Sequence, residues 1–523
     1  MKTNQAPGAA KTFIIAALLL FTLAAGIRAI GVVKGPEEFQ PVRQYFTALI
    51  ARYLYYIGDE DLPEAKLTYL EQSVQPIHEP PIMEGLSIIG FQFVGEDNLW
   101  IPRAIAATAW LFGGVFLFLL MTRLLSRGPA LVGTAFYLFL PFGIAQSLSF
   151  QPDSLMLASG LAAILCILRY HRNPTTRTMV IAALVSALAL TIKTQILFLI
   201  VGAYVGLALG RMPPLRLIRD RDSWIFAAIA LTPPILYLLA NHLFLHGLEA
   251  QRGMITSALL SPHFYISWVY MLEKVLGFPV LILGLMGLVV MRGDLRNLTL
   301  GLWGGYILFG LVFTYHFATH TYYHISVIPP VALGIAALAA PALDALREQN
   351  RVYRGIGIAL VSILAIGLTS AQVVRSFDHP GVDDKAGLFA NIGDTIGHSN
   401  QTIMYAQSEG LPLMYHGWIS GWLWPTSWHR AIDARGLSGI ITEEAEQSAI
   451  DDAQDDIAKE LQDLRDEGAR WFVVTLMEDF QEQPGLAPYL RERFQLVGES
   501  PEHLIFDLEK PATGDKPSSG SAE

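Results

Sequence analysis

The stretch GPEEFQPVRQYFTALIARYLYY, residues 35–56, is followed after an acidic connector by QPIHEPPIMEGL, residues 75–86. This stretch is polar and charged, and it lies between two apolar blocks, each long enough to form a helix that crosses a bilayer. Ionisable groups at the ends of membrane spans are costly unless they face a cavity or a partner, so each is a candidate for a functional role. We therefore predict that residues 34–99 form a loop that carries the chemistry of the protein.

The composition of the whole chain favours a membrane protein. Of its 523 residues, 52% are hydrophobic and 16% are charged, whereas soluble domains carry about 25% charged residues. Because lipid offers the backbone no hydrogen-bond partners, the spanning segments are expected to be helices. The formal net charge of −10 argues against a nucleic-acid partner. The single cysteine, Cys166, excludes a disulfide within the chain.

The apolar runs predict a polytopic α-helical membrane domain, residues 1–372, with about eleven spans. The predicted spans are 13–33, 100–121, 129–148, 153–168, 179–192, 195–209, 224–244, 275–291, 298–317, 323–343 and 356–371. Alternate loops are rich in arginine, and the positive-inside rule places such loops in the cytoplasm. The loop 34–99 and all residues after 372 are then expected on the outer side of the cytoplasmic (inner) membrane.

Residues 373–510 change in character and predict a small α/β domain outside the membrane. TIMYA (402–406), WFVVTL (471–476) and HLIFDL (503–508) have the pattern of short buried strands. Residues 452–467 and 488–494 have the pattern of helices, and strand, helix and strand in sequence favour an α/β fold. The polar tail, 511–523, is predicted to be disordered.

The ionisable residues at span ends fall on one side of the predicted membrane. In this topology the outer ends carry Glu37, Glu38, Arg43, His78, Glu79, Asp153, Lys193, His316, His320 and His324. Residues placed for packing or solubility alone would not segregate in this way. The sequence thus predicts a polar site that faces outward at the membrane boundary.

Two carboxylate positions are candidates for a general base. Glu37 and Glu38 are adjacent, and a carboxylate beside another carboxylate can have a raised pKa and act as a general base. Equally, acidic residues favour the first turn of a helix. Asp153 opens a predicted span in the sequence QPD, where it either caps a helix or faces the outer site.

Three further features are candidates for binding an anion or a cation. The turn His78-Glu79-Pro80-Pro81 could bind a divalent metal, could position a phosphate, or is an interfacial turn. Lys193, in TIKTQ, either reaches the headgroups or pairs with a lipid phosphate. Residues 315–330, YHFATHTYYHISVIPP, cluster histidines and tyrosines. An aromatic belt and ordinary hydrogen-bonded histidines also explain this cluster, and its spacing does not indicate zinc.

The order of these parts resembles a known family. Ile50-Ala51-Arg52 in the loop precedes PRAIAATAWLFGGVFLFLLMTRLL (102–125), LPFGIAQSLSFQPDSLMLA (140–158), ALALTIKTQ (187–195) and HTYYHISVIPP (320–330). Over roughly the membrane part, the chain is similar to the bacterial protein O-mannosyltransferases and lipid A aminoarabinose transferases of the glycosyltransferase C superfamily. It differs in having Glu37-Glu38 where the family has Asp-Glu or Asp-Asp, and Glu79 where the aminoarabinose transferases place a lysine.

The resemblance implies a glycosyltransferase that draws a polyprenyl-phosphate-linked sugar from the bilayer. Glu38 or Glu37 would then activate the acceptor hydroxyl, and Asp153 would be the second acidic position. The donor phosphate would be bound by residues from the set Arg43, His78, Glu79, Lys193, His320, Tyr323 and His324. No cofactor is certain, and a divalent metal at His78 and Glu79 is an alternative. A single base predicts inversion at the anomeric carbon.

Other functions compete with this interpretation. A transporter or flippase would place its site near the midplane and often has repeated halves, and neither feature is visible in the sequence. A lipid-linked ligase would use the same residues but form another product. The acceptor is a lipid, a glycan or a protein hydroxyl. The aromatic stretch GWISGWLWPTSW (417–428) either stacks on carbohydrate or belongs to a domain core or membrane interface.

Overall fold

The structure is a computed structural model of the chain. It describes residues 7–36, 39–59, 62–77, 79–245, 256–348, 350, 352, 355, 385–426, 457–483 and 485–512. The predicted span 356–371, the tail 513–523 and the candidate residues Glu37, Glu38 and His78 lie outside these described residues.

The chain divides into two compact units that do not follow the order of the sequence. The first contains Met1–Phe39 and Pro76–Pro380, and the second contains Gln40–Gln75 and Gly381–Glu523. The outer loop 34–99 of the sequence analysis is therefore divided, because its middle part belongs to the same unit as the carboxy-terminal domain.

The described helices are numbered here in chain order. Up to residue 347 they are α1 (Pro7–Val32), α2 (Pro41–Tyr56), α3 (Glu64–Ser73), α4 (Ile82–Val94), α5 (Trp100–Leu124), α6 (Arg127–Phe139), α7 (Pro141–Ser147), α8 (Asp153–Arg172), α9 (Thr176–Ile192), α10 (Leu197–Leu209), α11 (Pro214–Arg219), α12 (Arg221–Leu245), α13 (Pro262–Leu276), α14 (Phe278–Val290), α15 (Gly293–Val312), α16 (Thr314–Thr319) and α17 (Ile328–Arg347). Short 3₁₀ helices cover Thr194–Ile196, Thr256–Leu260 and Thr321–Val327.

The first unit is helical, and by length and composition six of its described helical segments can cross a membrane. Two bent pairs, α6 with α7 at 60° and α13 with α14 at 95°, raise this number to eight if each pair is one span. The polytopic helical fold is confirmed, whereas the number of about eleven spans is not. Helices α4 and α9 and the segment Thr194–Leu209 are apolar but shorter.

The bends have identifiable causes in the sequence. Helix α7 begins at Pro141, whose nitrogen carries no hydrogen to continue the ladder of α6. Between α13 and α14, Gly277 has φ 76° and ψ 141°, a conformation that only glycine adopts readily. Each bend therefore lies at the residue whose backbone chemistry permits it.

Two buried arginines attach helix α1 to the rest of the first unit. Arg28 donates from Nε to Ser147 Oγ at 2.9 Å and from Nη2 to Leu138 O at 3.1 Å. Arg103 of α5 donates from Nη2 to Gly31 O at 3.0 Å near the end of α1, a carbonyl that also accepts from Lys34 N at 3.2 Å. A guanidinium in an apolar span must find such acceptors, because lipid provides none.

Helices α10 and α15 pack with their backbones in contact. A Cβ added at Gly202, Gly206, Gly301 or Gly305 would collide with backbone atoms of the opposite helix. Small residues allow such close helix contacts in membranes. This contact fixes the start of α10, which follows Lys193, relative to Phe309 of α15.

The second unit contains a five-stranded mixed sheet, and it confirms a small α/β domain. Its elements after residue 384 are α18 (Lys385–Thr395), β1 (Thr402–Tyr405), α19 (Leu411–Gly417), β2 (Gly421–Leu423), α20 (Ile457–Asp466), β3 (Trp471–Val474), α21 (Met477–Glu482), α22 (Leu486–Arg493), β4 (Phe494–Glu499) and β5 (Leu504–Pro511), with a 3₁₀ turn at Ser408–Gly410. The strand order is β2-β1-β3-β5-β4. Strand β1 pairs in parallel with β2 and β3, and β5 pairs antiparallel with β3 and β4.

The loop helix α2 packs on α19 within this second unit. Tyr45 Oη and His416 Nε2 are 2.7 Å apart. The guanidinium of Arg52 donates to Tyr415 O and lies 3.5 Å from the Tyr415 ring centroid and 4.1 Å from that of Trp418. Part of the aromatic stretch 417–428 thus packs on α2, while residues 427 and 428 lie outside the described residues.

Candidate functional site

The first unit contains a buried ion pair between two of the predicted site residues. Lys193 Nζ lies 3.1 Å from Asp153 Oδ1 and 3.0 Å from Oδ2. The lysine side chain is 3% exposed and the aspartate 2%, so this pair is shielded from water. Breaking such a pair by removing one partner leaves an uncompensated buried charge.

Local structure explains how residues 40 positions apart in sequence come together. Asp153 is the first residue of α8. Helix α9 ends at Ile192, and Lys193 adopts an extended conformation, with φ −159° and ψ 120°, before the 3₁₀ turn. The lysine therefore lies in the break between two apolar helices, where its side chain reaches the start of α8.

Aromatic side chains flank the ion pair. Lys193 Nζ is 5.5 Å from the ring centroid of Tyr322 and 6.0 Å from that of Tyr323, within the range of a cation–π contact. A narrow cavity adjoins the pair, and its lining includes Asp153, Lys193, Gln195, Phe309, Tyr322 and Tyr323. The break after α9, the start of α8 and the late histidine and tyrosine segment thus meet at one place.

Glu79 is brought to the same place through Gln195. The Nε2 of Gln195 lies 3.4 Å from Glu79 Oε1, while the Oε1 of Gln195 has no hydrogen-bond partner in the described part of the chain. Gln195 was missed in the sequence analysis, although it ends the TIKTQ motif two residues after Lys193. Its free acceptor beside the cavity makes it an additional candidate for contact with a substrate.

His320 and Tyr323 lie in an aromatic cluster next to this cavity. The ring of His316 stacks on Tyr323 with centroids 4.5 Å apart, and it lies 5.3 Å from the ring of His320. His320 Nδ1 is 2.6 Å from Thr319 Oγ1. Because Tyr323 also faces Lys193, these residues extend the wall of the site.

His324 has a different environment from the one expected of a phosphate contact. It is fully buried, its Nδ1 is 2.7 Å from Tyr306 Oη, and its Nε2 is 3.0 Å from Phe317 O. Trp268 Nε1 donates to the same tyrosine oxygen at 2.8 Å. Since the carbonyl can only accept, Nε2 carries the hydrogen and Nδ1 accepts from Tyr306. Both ring nitrogens are engaged, and in this structure neither is free for a phosphate.

The structure does not test the remaining predicted site residues against this geometry. Arg43 belongs to the second unit, where its guanidinium carbon lies 5.6 Å from the Phe46 ring centroid. Glu37, Glu38 and His78 lie outside the described residues. Among the residues that the structure describes, no group of three His, Cys, Asp or Glu side chains could hold a metal ion. The His78–Glu79 metal alternative is not tested by this observation, because His78 is not described.

Comparisons with known proteins bear on the first unit in particular. Residues 78–239 match the family model of dolichyl-phosphate-mannose-protein mannosyltransferase. The match begins at the His-Glu-Pro-Pro turn and includes both partners of the buried ion pair. No curated protein sequence gives a significant match.

Solved structures share the fold of the chain at low identity. ArnT from Cupriavidus metallidurans bound to undecaprenyl phosphate gives a TM-score of 0.53 at 14% identity, covering 96% of this chain and 98% of that chain. The oligosaccharyltransferase AglB from Archaeoglobus fulgidus, in complex with an inhibitory peptide and a dolichol-phosphate, gives 0.50 at 13%, covering 91% and 72%. The oligosaccharyltransferase of the same organism, in complex with zinc and sulfate, gives 0.50 at 12%, covering 91% and 71%.

These likenesses establish the fold but no residue's role. The glycosyltransferase C fold that the motifs predicted is confirmed, and the chain is a multi-pass membrane protein. The arrangement of the site itself comes from this chain's own side chains: a buried cation paired with a carboxylate, beside an aromatic-walled cavity.

Proposed function

We propose that this multi-pass membrane protein is a glycosyltransferase that moves a sugar from a polyprenyl-phosphate-linked donor to a hydroxyl acceptor. The observation that carries the proposal is the buried Asp153–Lys193 pair beside the cavity, in a chain with the glycosyltransferase C fold. The family model matched by residues 78–239 and the undecaprenyl phosphate bound to ArnT support the donor class.

Lys193 is proposed to bind the donor phosphate. A buried ammonium group is a strong partner for an anion, because the apolar surroundings weaken screening. Asp153 holds this charge in place when no donor is bound. The arriving phosphate competes with Asp153 for the lysine, and the lysine then stabilises the negative charge that develops on the leaving phosphate.

The acceptor is proposed to be activated by Glu38 or Glu37. In a single displacement the carboxylate takes the acceptor proton, the acceptor oxygen bonds to the anomeric carbon, and the bond from that carbon to the phosphate oxygen breaks. Polyprenyl phosphate leaves, and the configuration at the anomeric carbon inverts. Positioning of both substrates provides most of the remaining acceleration.

We place the reaction on the outer face of the cytoplasmic membrane. The arginine-rich loops that define the inner side include the end of α8, where Arg172 pairs with Asp294 at 3.0 Å. Asp153 is at the opposite end of the same helix. The second unit would then be extracytoplasmic. The candidate acceptor of the sugar is a hydroxyl of a lipid, a glycan or a protein.

The test is sugar transfer by the purified full chain in lipid nanodiscs, with radiolabelled undecaprenyl-phosphate sugars as donors. We expect Glu38→Gln or Glu37→Gln to abolish transfer, and Asp153→Asn to reduce it strongly. The matched control is Glu71→Gln on the exposed face of α3, which should transfer as the unchanged protein does. If no donor is consumed, or if all carboxylate variants remain active, the proposal is wrong.

The same assay tests a divalent cation at His78 and Glu79. If a cation binds there, EDTA should abolish transfer and added Mg²⁺ or Mn²⁺ should restore it. His78→Ala should abolish transfer in the same way. These results together would identify the turn as a cation site. If transfer is unchanged in EDTA, no divalent cation is needed, and Lys193 is then the group proposed to neutralise the phosphate.

A further inference from the structure

The end of α7 and the turn that leads to α8 carry a concentration of buried polar atoms without partners in the described part of the chain. They are the Nε2 and Oε1 atoms of Gln146, the Oγ of Ser149, and the Nε2 and Oε1 atoms of Gln151. The two glutamines are completely buried and Ser149 is 1% exposed. No other stretch of similar length in the described part of the chain contains as many such atoms.

The backbone of this turn, in contrast, is well bonded. Ser149 N donates to Gln146 O at 3.2 Å, and Gln151 N donates to Ser149 O at 2.8 Å. The Oγ of Ser154 lies 3.4 Å from Gln146 O, which ties the end of α7 to the first turn of α8. These backbone bonds hold the turn together, whereas the amide and hydroxyl side chains named above lack partners in the described part of the chain.

Unpaired buried amides are too costly to keep without a function or a bound partner. Leu148 and Phe150, which alternate with these residues, are buried as ordinary apolar side chains. The polar positions thus differ from their neighbours in chemistry and not in burial. A ligand or ordered water that supplies both donors and acceptors would satisfy them.

The chemistry of these groups selects the kind of ligand. Each glutamine presents two N–H donors and one carbonyl acceptor, and Ser149 presents a hydroxyl. A phosphodiester only accepts hydrogen bonds, so it would leave both carbonyl oxygens unpaired. An isoprenoid chain offers no polar group. A sugar carries several hydroxyls, each of which donates and accepts, and therefore matches the set.

The turn leads directly into the proposed phosphate site. Gln151 precedes Asp153 by two residues, and Asp153 is paired with Lys193. A donor whose phosphate contacts Lys193 would place its sugar near the residues that adjoin Asp153. We propose that Gln146, Ser149 and Gln151 form a subsite that binds hydroxyls of the transferred sugar and selects among sugars. This inference rests on the proposed function.

The test measures the binding of two kinds of lipid to the full chain in nanodiscs. One is undecaprenyl phosphate, and the other is undecaprenyl phosphate that carries glucose, mannose or arabinose. The variants are Gln146→Met, Gln151→Met and Ser149→Ala, which remove the polar atoms at nearly constant volume. The control is Asn241→Leu, because Asn241 of α12 also has a buried Oδ1 without a partner in the described residues.

We expect the unchanged protein to bind one sugar-bearing lipid more tightly than undecaprenyl phosphate. Each glutamine variant should weaken binding of that lipid by about tenfold or more and leave the affinity for undecaprenyl phosphate unchanged. Without ligand these variants should melt at the same or a higher temperature, since they remove unpaired polar groups. The control should keep the preference for the sugar-bearing lipid.

Two results would overturn the subsite. In the first, the variants keep the full preference for the sugar-bearing lipid, which means that ordered water alone satisfies the turn. In the second, the unchanged protein binds undecaprenyl phosphate, with an affinity that depends on Lys193, but prefers none of the sugars. Failure of the proposed function is distinct, because in that case the chain transfers no sugar and binds undecaprenyl phosphate no better than Lys193→Met does.

Discussion

At the scale of single residues, the site depends on charges that compensate each other out of contact with water. Lys193 and Asp153 are almost fully buried, and each is the other's closest ionic partner among the described residues. Buried pairs of this kind contribute little net stability when they are compared with apolar residues of similar volume. The proposed binding of an anion would give this pair a role other than stability.

Substitutions of the ion pair are expected to affect the stability of the protein and its sugar-transfer activity differently. Lys193→Met should lower the free energy of unfolding by about 3–5 kcal/mol, because it leaves Asp153 charged and buried. The double variant Lys193→Met with Asp153→Leu should recover most of this loss and still not transfer sugar. Thermal unfolding in detergent, analysed as a double-mutant cycle, measures the coupling. A double variant that transfers sugar normally would exclude the proposed role of the lysine.

At the scale of secondary-structure elements, the close contact of α10 and α15 determines where the lysine-bearing turn lies. The glycines on the facing sides of these helices leave no room for a Cβ. The contact joins the helix that follows Lys193 to the helix that supplies Phe309 to the cavity lining. A substitution that pushes these two helices apart should therefore also displace residues of the site.

Two glycines on α15 provide a matched pair for testing this contact. At Gly301 an added Cβ would meet the backbone of Gly202, whereas at Gly304 it would meet nothing within 4 Å. Gly301→Ala should destabilise the protein by about 1–3 kcal/mol through overpacking and reduce transfer. Gly304→Ala should be neutral or stabilising by up to about 1 kcal/mol, since alanine favours helices. Equal effects of the two changes on unfolding temperature would contradict this account.

At the scale of the whole molecule, the chain builds its second unit from two separate segments. Residues 40–75 leave the first unit and join the carboxy-terminal domain, and their two ends follow Phe39 and precede Pro76. The acidic pair Glu37-Glu38 and the turn that starts at His78 flank these ends in sequence. Both groups of candidate residues are therefore close, in sequence, to the points where the chain passes from one unit to the other.

One buried contact of Arg52 is expected to help hold residues 40–75 in the second unit. Arg52 of α2 is 4% exposed, contacts the rings of Tyr415 and Trp418 and donates to a backbone carbonyl. Arg52→Met should weaken the attachment of α2 and α3 by about 2 kcal/mol. Limited proteolysis should then cut residues 40–75 faster than in the unchanged protein. Lys459→Ala, an exposed cation on α20, is the control and should be cut at the unchanged rate.

The sequence by itself determined the class of fold and the kinds of residue in the site. Run length and composition predict membrane helices because lipid requires internal hydrogen bonding over a fixed thickness. Strand patterns predicted β1, β3 and β5, while β2 and β4 were not predicted. The first of these two strands has only three residues, and the second begins directly at the end of α22.

Only the tertiary structure decided which candidates meet. Asp153 and Lys193 are brought into contact by helix packing, whereas His324 is held in a hydrogen-bonded network with Tyr306 and Phe317. Neither outcome is visible in the sequence, because the residues next to Lys193 and His324 along the chain do not specify which distant residues they contact. The partner of a buried polar group is set by long-range packing, and local sequence specifies only that the group needs one.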